Sequence, residues 1–394
     1  MSTLKINHGT LKPKINLPSS KSYANRVLIL AALKQEVATI RNISDSSDVI
    51  HLLDSLESID LKIEKIEDTI KIHNSFPACE NGAKTIKVGE GGTTARFLAC
   101  MLLRGKEPYT LILGDRLKER PWKEFIQFVN DHHGKASLVD NQLLIQGPIK
   151  LPRKVEFDCS KTTQFATGLS LAFPEATIVP INLASSQSYW KMTEKIKKDF
   201  AFSSSYSIPL DWSSASYPMA FAALNQKIKF PELKYDEFQA DSKLYNLLKQ
   251  MDALEEHEDG IIVNPIKRDL IVKMNVSDCL DLVPTLAYLL SHIDGEHLLE
   301  GITNLVHKES DRLSEVVKLV RNFGRDALVQ DEKLFIKGSQ KKILDPIDLF
   351  MPDDHRMVMV GALFLLHHSG GSIRPMESVK KSYPDFFSIF NVTN

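Results

Sequence analysis

The sequence predicts an α/β (α+β) protein of two domains, each built from three copies of one strand–helix–strand–helix–strand–strand unit. Three observations lead there. The chain has 394 residues, which at about 150 residues per domain makes two or three domains. Two series of helix-like segments recur at matching intervals of roughly 70 residues. Between them lie short alternating runs such as TIKVGE, LLIQG, LIVKMNV and KLFIKG, which read as strands.

The first helix series starts near Ser22, Thr93, Thr163, Ser216, Asp281 and Asp354, at intervals of about 71, 70, 53, 65 and 73 residues. Each segment opens with small polar residues and turns apolar on all sides, so each is expected to be buried. The second series starts near Asp48, Glu119, Ser188, Asp241, Ser310 and Tyr383, at about 71, 69, 53, 69 and 73 residues. Its members are two-faced and should lie outside. The third copy is short by nearly twenty residues, roughly one hairpin.

Composition limits the function. Lys and Arg number 49 against 50 Asp and Glu, a net charge of -1, so the bulk basic excess of a nucleic-acid binder is absent. Cys79, Cys100, Cys159 and Cys279 form no CxxC pair, which disfavours a closed zinc site or a redox dithiol and fits a reducing compartment. The start, MSTLKINHGTLKPK, lacks an apolar signal-peptide core. The longest apolar run, Met357 to Leu366, is far below the ~20 residues of a membrane span. A cytoplasmic protein is expected.

Chemistry-bearing residues collect at the starts of the first helices, where free N–H groups and the dipole favour anions. SSKSYANR places Lys21 at a helix entrance and Arg26 one turn beyond Ser22. A cation there opposes the dipole, and an anionic ligand would remove the conflict; a solvated lysine is the alternative. GEGGTTAR puts two glycines before a Thr-capped helix with Arg96 in its first turn. No Walker A loop is present. Pro121 is expected at the first position of a helix, with Arg120 near its cap. Thr162, Thr163 and Gln164 open another helix. In HKESDRLSEV, Lys308 and Arg312 share a face and Glu309 precedes a Ser310 cap. Asp353, Asp354, His355 and Arg356 lack metal-ligand spacing, so no metal is expected. The pairs His132–His133 and His367–His368 read as structural. No GxSxG or catalytic-cysteine signature occurs.

Taken in order, the strings SKSYANR, GGTTAR, KERP, TTQF, SSASY, KESDRL, DHRM and KKSYPDFF resemble the 3-phosphoshikimate 1-carboxyvinyltransferase (EPSP synthase) family, the target of glyphosate. The resemblance runs from Lys14 to Phe390. It implies two domains of three βαβαββ repeats with pseudo-threefold symmetry, an inside-out α/β barrel arrangement. The implied boundaries are 20–209 for one domain and 1–19 plus 210–394 for the other, with the active site in the interdomain cleft. The implied reaction transfers the enolpyruvyl group of phosphoenolpyruvate to the 5-hydroxyl of shikimate 3-phosphate, on the path to chorismate, without a cofactor. A monomer is expected.

The resemblance assigns Lys21, Ser22, Arg26, Thr162, Thr163, Gln164, Ser186, Tyr189, Asp281, Asn304 and Lys308 to shikimate 3-phosphate. It assigns Lys21, Gly92, Arg120, Gln164, Arg312, Arg356 and Lys381 to phosphoenolpyruvate. Asp281 would take the 5-hydroxyl proton, Glu309 would protonate C3, and Lys21 would reach both substrates. Eight cations, Lys21, Arg26, Arg96, Arg120, Lys308, Arg312, Arg356 and Lys381, would then make a strongly positive pocket facing mainly Glu90, Asp281, Glu309 and Asp354.

Three departures stand out. Glu90 occupies a place where the family usually has Asn, and would need Arg96 or Arg120 to neutralise it. Thr162 and Thr163 replace serines and keep the hydroxyl. The third repeat is short between Tyr189 and Asp211. Gly92 leaves room that predicts sensitivity to glyphosate. The alternatives are a catalytically weak, anion-binding homologue and UDP-N-acetylglucosamine enolpyruvyl transferase. The latter would resemble a KNA-type string and carry a loop cysteine, where this chain has SKSYANR.

Overall fold

Helix α1 (Lys21–Leu33) shows how the repeated pattern becomes structure. Ala24, Val27, Leu28, Ala31 and Ala32 are fully buried along with Ile29 on another side, so no polar face is left to solvent. A helix apolar all round must sit inside. The computed structural model describes residues 2–78, 82–183, 185–341 and 343–391; Cys79 lies outside them. The chain divides into two compact units. The first unit is Ser19–Pro209; the second is Met1–Pro18 with Leu210–Asn394.

In the first unit, α1, α3 (Gly92–Leu102) and α6 (Gln164–Ala172) pack on one another at the centre, with α2 (Ser47–Ser58) against α1. Helices α4 (Asp115–Lys118), α5 (Lys123–Asp131) and α7 (Gln187–Ala201) complete the set. The second-series helices are two-faced: α7 buries Met192, Thr193, Ile196 and Phe200 at helical spacing. Strand Lys84–Lys87 pairs in parallel with Pro108–Ile112, which continues antiparallel through Gln142–Gln146 to Lys135–Val139. In the first repeat the parallel partner of Ala38–Arg41 is supplied from far along the chain by Ser205–Ser207. Among the described residues the third repeat has only the parallel pair Lys154–Asp158 and Thr177–Ile181; α7 runs straight into Ser205–Ser207 with no intervening hairpin.

The second unit repeats the plan with α8 (Trp212–Asn225), α10 (Val283–Leu290) and α12 (His355–His367) packed together, and α9 (Lys243–Gln250) and α11 (Arg312–Asn322) as the amphipathic members. Helix α8 begins before Ser216, because Asp211 caps it by accepting from the Ser214 amide at 2.9 Å. Pro218 lies inside it. Its last sheet is closed by the N-terminal strand Leu4–Ile6, antiparallel to Gly371–Arg374, which pairs in parallel with Ile347–Phe350.

One expectation is corrected. The sixth copy has no second α-helix: Met376–Lys381 and Phe386–Ile389 are 3-10 turns. Pro384 supplies no N–H there, and Tyr383, Phe386, Phe387 and Phe390 pack edge to face instead. Among the described residues the sheets are separate small sheets of two to four strands, in keeping with the expected repeats. No described helix is long and apolar enough to cross a membrane.

Candidate active site

Helix starts of the first unit carry one group of charged side chains. Lys21 is the first residue of α1, and its ammonium lies 2.8 Å from Asp48 in the first turn of α2. The conflict between a cation and a helix N-terminus is thus met by an acid at a neighbouring helix start. Thr94 donates to the Asp48 carbonyl at 2.9 Å and ties α3 to the same place. Arg26 is buried and held on three sides: it donates to the Ser22 carbonyl at 2.7 Å, to Thr193 Oγ1 at 2.9 Å and to the Tyr189 carbonyl at 3.3 Å. Its guanidinium stands 5.2 Å from the Phe97 ring and 5.7 Å from that of Tyr189. Burial lowers its pKa to about 10, with Tyr189 and Tyr23 opposing, so it stays charged. Ser186 caps α7 with a left-handed backbone, φ 62°.

A second network joins α3, α6 and the turn before α5. Arg96 donates to Gln164 Oε1 at 2.6 Å and to the Pro121 carbonyl at 3.1 Å. Gln164 passes a 2.9 Å bond on to Thr93 Oγ1, while its own amide donates to Thr162 Oγ1 at 3.3 Å. Thr163 is the residue before α6. Arg120 does not sit at a helix cap: α5 begins at Lys123, so Pro121 precedes the cap residue Trp122. The Trp122 indole donates back to the Leu117 carbonyl at 3.0 Å, which keeps the segment a tight turn between α4 and α5. The Arg120 guanidinium packs directly on Gly92, where an added β-carbon would collide with it. Arg96 is engaged with Gln164 and Pro121, and Glu90 bonds the Leu117 amide at 3.1 Å.

In the second unit the predicted residues form one ionic lattice. Asp281 precedes α10 on a 3-10 turn. Its Oδ1 is 2.7 Å from Arg312 and 3.2 Å from Lys308, and its Oδ2 is 3.1 Å from Arg356. Arg312 also binds Asp354 at 2.7 and 3.2 Å. Glu309 lies 2.9 Å from Lys381 and 2.9 Å from His355. Asn304 sits on the 3-10 turn Thr303–His307 that leads into Lys308. Ser310 is not the cap of α11: Asp311 caps it at the Ser314 amide, 3.2 Å, while Ser310 donates to Asp354 at 3.0 Å. Arg356 also donates to Ser213 Oγ.

Burial alone would raise the Asp281 carboxyl; Arg356, Lys308 and Arg312 together hold it well below the usual carboxylate range. Glu309 behaves likewise, with Lys381 and His355 overcoming burial. Asp241 goes the other way: burial pushes it up to about 7, against Arg356 at 4.0 Å and with Asp281 adding to the rise. Glu309, Asp354 and His355 bring three donor atoms within 4.8 Å of one another. Arg312 binds both Asp354 oxygens, Lys381 binds Glu309 Oε1, and Glu309 Oε2 lies against His355.

Two acids escaped the sequence reading. Asp48 and Asp241 looked like ordinary openings of amphipathic helices; both are at least 95% buried. The available signal was an acid at the second-helix start of the two repeats whose first helix begins each unit. They change the charge count. In the second unit four cations (Lys308, Arg312, Arg356, Lys381) meet three acids held ionised (Asp281, Glu309, Asp354) and Asp241, whose carboxyl is pushed up to about 7, so little net positive charge is left there. In the first unit Lys21 pairs with Asp48, while Arg26 and Arg96 are held by neutral partners.

Residues 6–203 and 197–390 match the family described as EPSP synthase (3-phosphoshikimate 1-carboxyvinyltransferase). The chain is 28% identical to 3-phosphoshikimate 1-carboxyvinyltransferase of Psychromonas ingrahamii, with 95% of each chain covered. It is 26% identical to the enzyme of that name from Clostridium beijerinckii, covering 99% of this chain and 97% of that one. In fold it resembles EPSP synthase of Acinetobacter baumannii (TM-score 0.79, 20% identity, 99% and 97% covered). The enolpyruvyl transferase NikO of Streptomyces tendae shares the fold at a TM-score of 0.74 and 13% identity, with 98% and 96% covered.

Proposed function

The chain belongs to the EPSP synthase family and is an enzyme of that transferase class, and from this premise we propose that it joins phosphoenolpyruvate to the 5-hydroxyl of shikimate 3-phosphate, releasing phosphate. In this reading Lys21, Ser22, Arg26, Thr162, Thr163, Gln164, Ser186, Tyr189, Asn304 and Lys308 bind shikimate 3-phosphate. Lys21, Gly92, Arg120, Gln164, Arg312, Arg356 and Lys381 take phosphoenolpyruvate, and residues of both units serve one reaction. The observation that carries the reading is Asp281, a half-buried carboxylate ringed by Lys308, Arg312 and Arg356.

The 5-hydroxyl oxygen bonds to C2 as C3 gains a proton. The tetrahedral intermediate then loses phosphate from C2 and a proton from C3, restoring the double bond. Without substrate, Asp281 is a weak base and Glu309 a charged, poor acid. Anionic substrates supply the change. A carboxylate and a phosphate binding Arg312, Arg356 and Lys381 share the positive charge that now stabilises Asp281 and Glu309. Their proton affinities rise, so Asp281 can accept the hydroxyl proton and Glu309 can carry one to C3. Arginine suits these ligands because its fork binds two oxygens at once. The Glu90 carboxylate, which would favour a weak homologue if it faced the substrate, is bound to the Leu117 amide.

Purified protein should release phosphate from phosphoenolpyruvate only when shikimate 3-phosphate is present. Folded protein that binds both substrates without turnover would overturn the reading.

A further inference from the structure

We propose that Glu90 is a positioning residue, holding in place the turn that carries Arg120; the proposal rests on the reading that Arg120 binds phosphoenolpyruvate. Glu90 lies in the loop between strand Lys84–Lys87 and α3. Its Oε2 accepts from the Leu117 amide at 3.1 Å, in the first turn of α4, where the helix has no intrahelical partner for that N–H. Gly114, the residue before α4, packs on this carboxylate so closely that a β-carbon would collide with both oxygens. The Gly114 amide also donates to the Gly89 carbonyl at 3.2 Å, so the loop and the helix start are joined twice.

Leu117 is the node. It is fully buried. Its carbonyl accepts from the Arg120 amide at 3.2 Å and from the Trp122 indole at 3.0 Å. Arg120 then returns to Gly92, two residues from Glu90. The contacts make a closed circuit of Glu90, Leu117, Arg120 and Gly92. A carboxylate at position 90 serves as the cap of α4 and fixes where the Arg120 backbone leaves the turn. Removing the acceptor frees the helix start, and the arginine becomes less well placed over Gly92.

The test compares Glu90→Ala, which removes the acceptor, with Glu90→Gln, which keeps an oxygen acceptor and drops the charge. Glu90→Ala should raise KM for phosphoenolpyruvate about ten-fold, with KM for shikimate 3-phosphate within about two-fold. Glu90→Gln should stay within about three-fold of the parent for both substrates. A second readout needs no turnover: solvent exchange of the Trp122 indole N–H, assigned by its loss in Trp122→Phe. It should speed up about ten-fold in Glu90→Ala and not in Glu90→Gln. Should Glu90→Ala fail to fold, Gly114→Ala, which pushes on the carboxylate from the helix side, should show the same selective loss. An unchanged KM for phosphoenolpyruvate in Glu90→Ala, or equal damage from Glu90→Gln, overturns the proposal. A parent protein without turnover would sink the functional reading. The indole signal then decides alone: unchanged exchange in Glu90→Ala overturns the positioning role and faster exchange upholds it.

Discussion

At the scale of single residues, the acids of the second unit divide by environment. Asp281 and Glu309 are held ionised by cations, and in the proposed reaction each has a defined proton to move once substrate takes those cations. Asp281→Asn and Glu309→Gln should each lower kcat by about 10²–10⁴-fold, measured as phosphate release at saturating substrate; a variant at the parental rate removes that residue from proton transfer. Asp241 behaves differently because its carboxyl titrates near 7. Below that pH it is neutral and leaves Arg356 to a ligand; above it the new charge competes for Arg356 at 4.0 Å. KM for phosphoenolpyruvate should therefore rise several-fold, about three- to ten-fold, from pH 6 to pH 8.5. In Asp241→Asn that rise should vanish. Lys308, Glu309 and Arg312 drew notice in sequence as charges close to one helix start, but α11 begins only at Arg312 and Lys308 is extended, so a shared helical face is not what brings Lys308 and Arg312 to Asp281. Asp241 drew none, since nothing local distinguishes an acid that opens an exposed helix from one that is 2% exposed.

At the scale of elements, α7 does more than cover α1. Thr193, one turn beyond Tyr189, accepts from Arg26 Nε and donates to the Tyr189 carbonyl at 2.8 Å. The arginine is thus aimed by a helix about 170 residues away in sequence, which no local pattern could reveal. Thr193→Val keeps the shape and removes the acceptor. It should raise KM for shikimate 3-phosphate about ten-fold and leave that for phosphoenolpyruvate within about two-fold. Equal effects on both would mean general loosening. The helix series themselves were readable because complete burial and one-sided burial leave different hydrophobic periods. The sixth repeat misled because YPDFFSIF has helical apolar spacing, yet its proline and its four packed aromatic rings favour 3-10 turns.

At the scale of the whole molecule, pH stability should turn on His292 in the second unit. Burial, followed by His367 and Arg325, holds its imidazole well below the ordinary value, against a backbone bond to Tyr288; His368 adds to the lowering. The unfolded chain takes up that proton near pH 6.5 and the folded one does not. The His292 contribution is therefore full above about 6.5 and falls as pH drops below it, by up to about 1.4 kcal/mol per unit, while Asp241, raised to about 7, contributes with the opposite sign between about pH 4 and 7. The lowered Asp281, Glu309 and Asp354 add a separate loss only below about pH 4. In Asp241→Asn, where the opposing contribution is gone, Tm should decline between pH 6.5 and 5, and adding His292→Asn should flatten that slope; a slope left intact assigns it elsewhere. The two-unit plan was legible from the repeat, whereas the pairing that closes each unit was not, because it joins segments far apart. That pairing bears on synthesis. Leu4 pairs with Ile373, a separation of 369 residues. At about 5–20 residues per second, a ribosome needs roughly 20–70 s to deliver the partner. For that interval strand Leu4–Ile6 lacks its partner, while the described strands of Ser19–Pro209 are all made once Ser207 is added. A nascent chain stalled before Gly371 would thus leave Leu4–Ile6 as an open sheet edge.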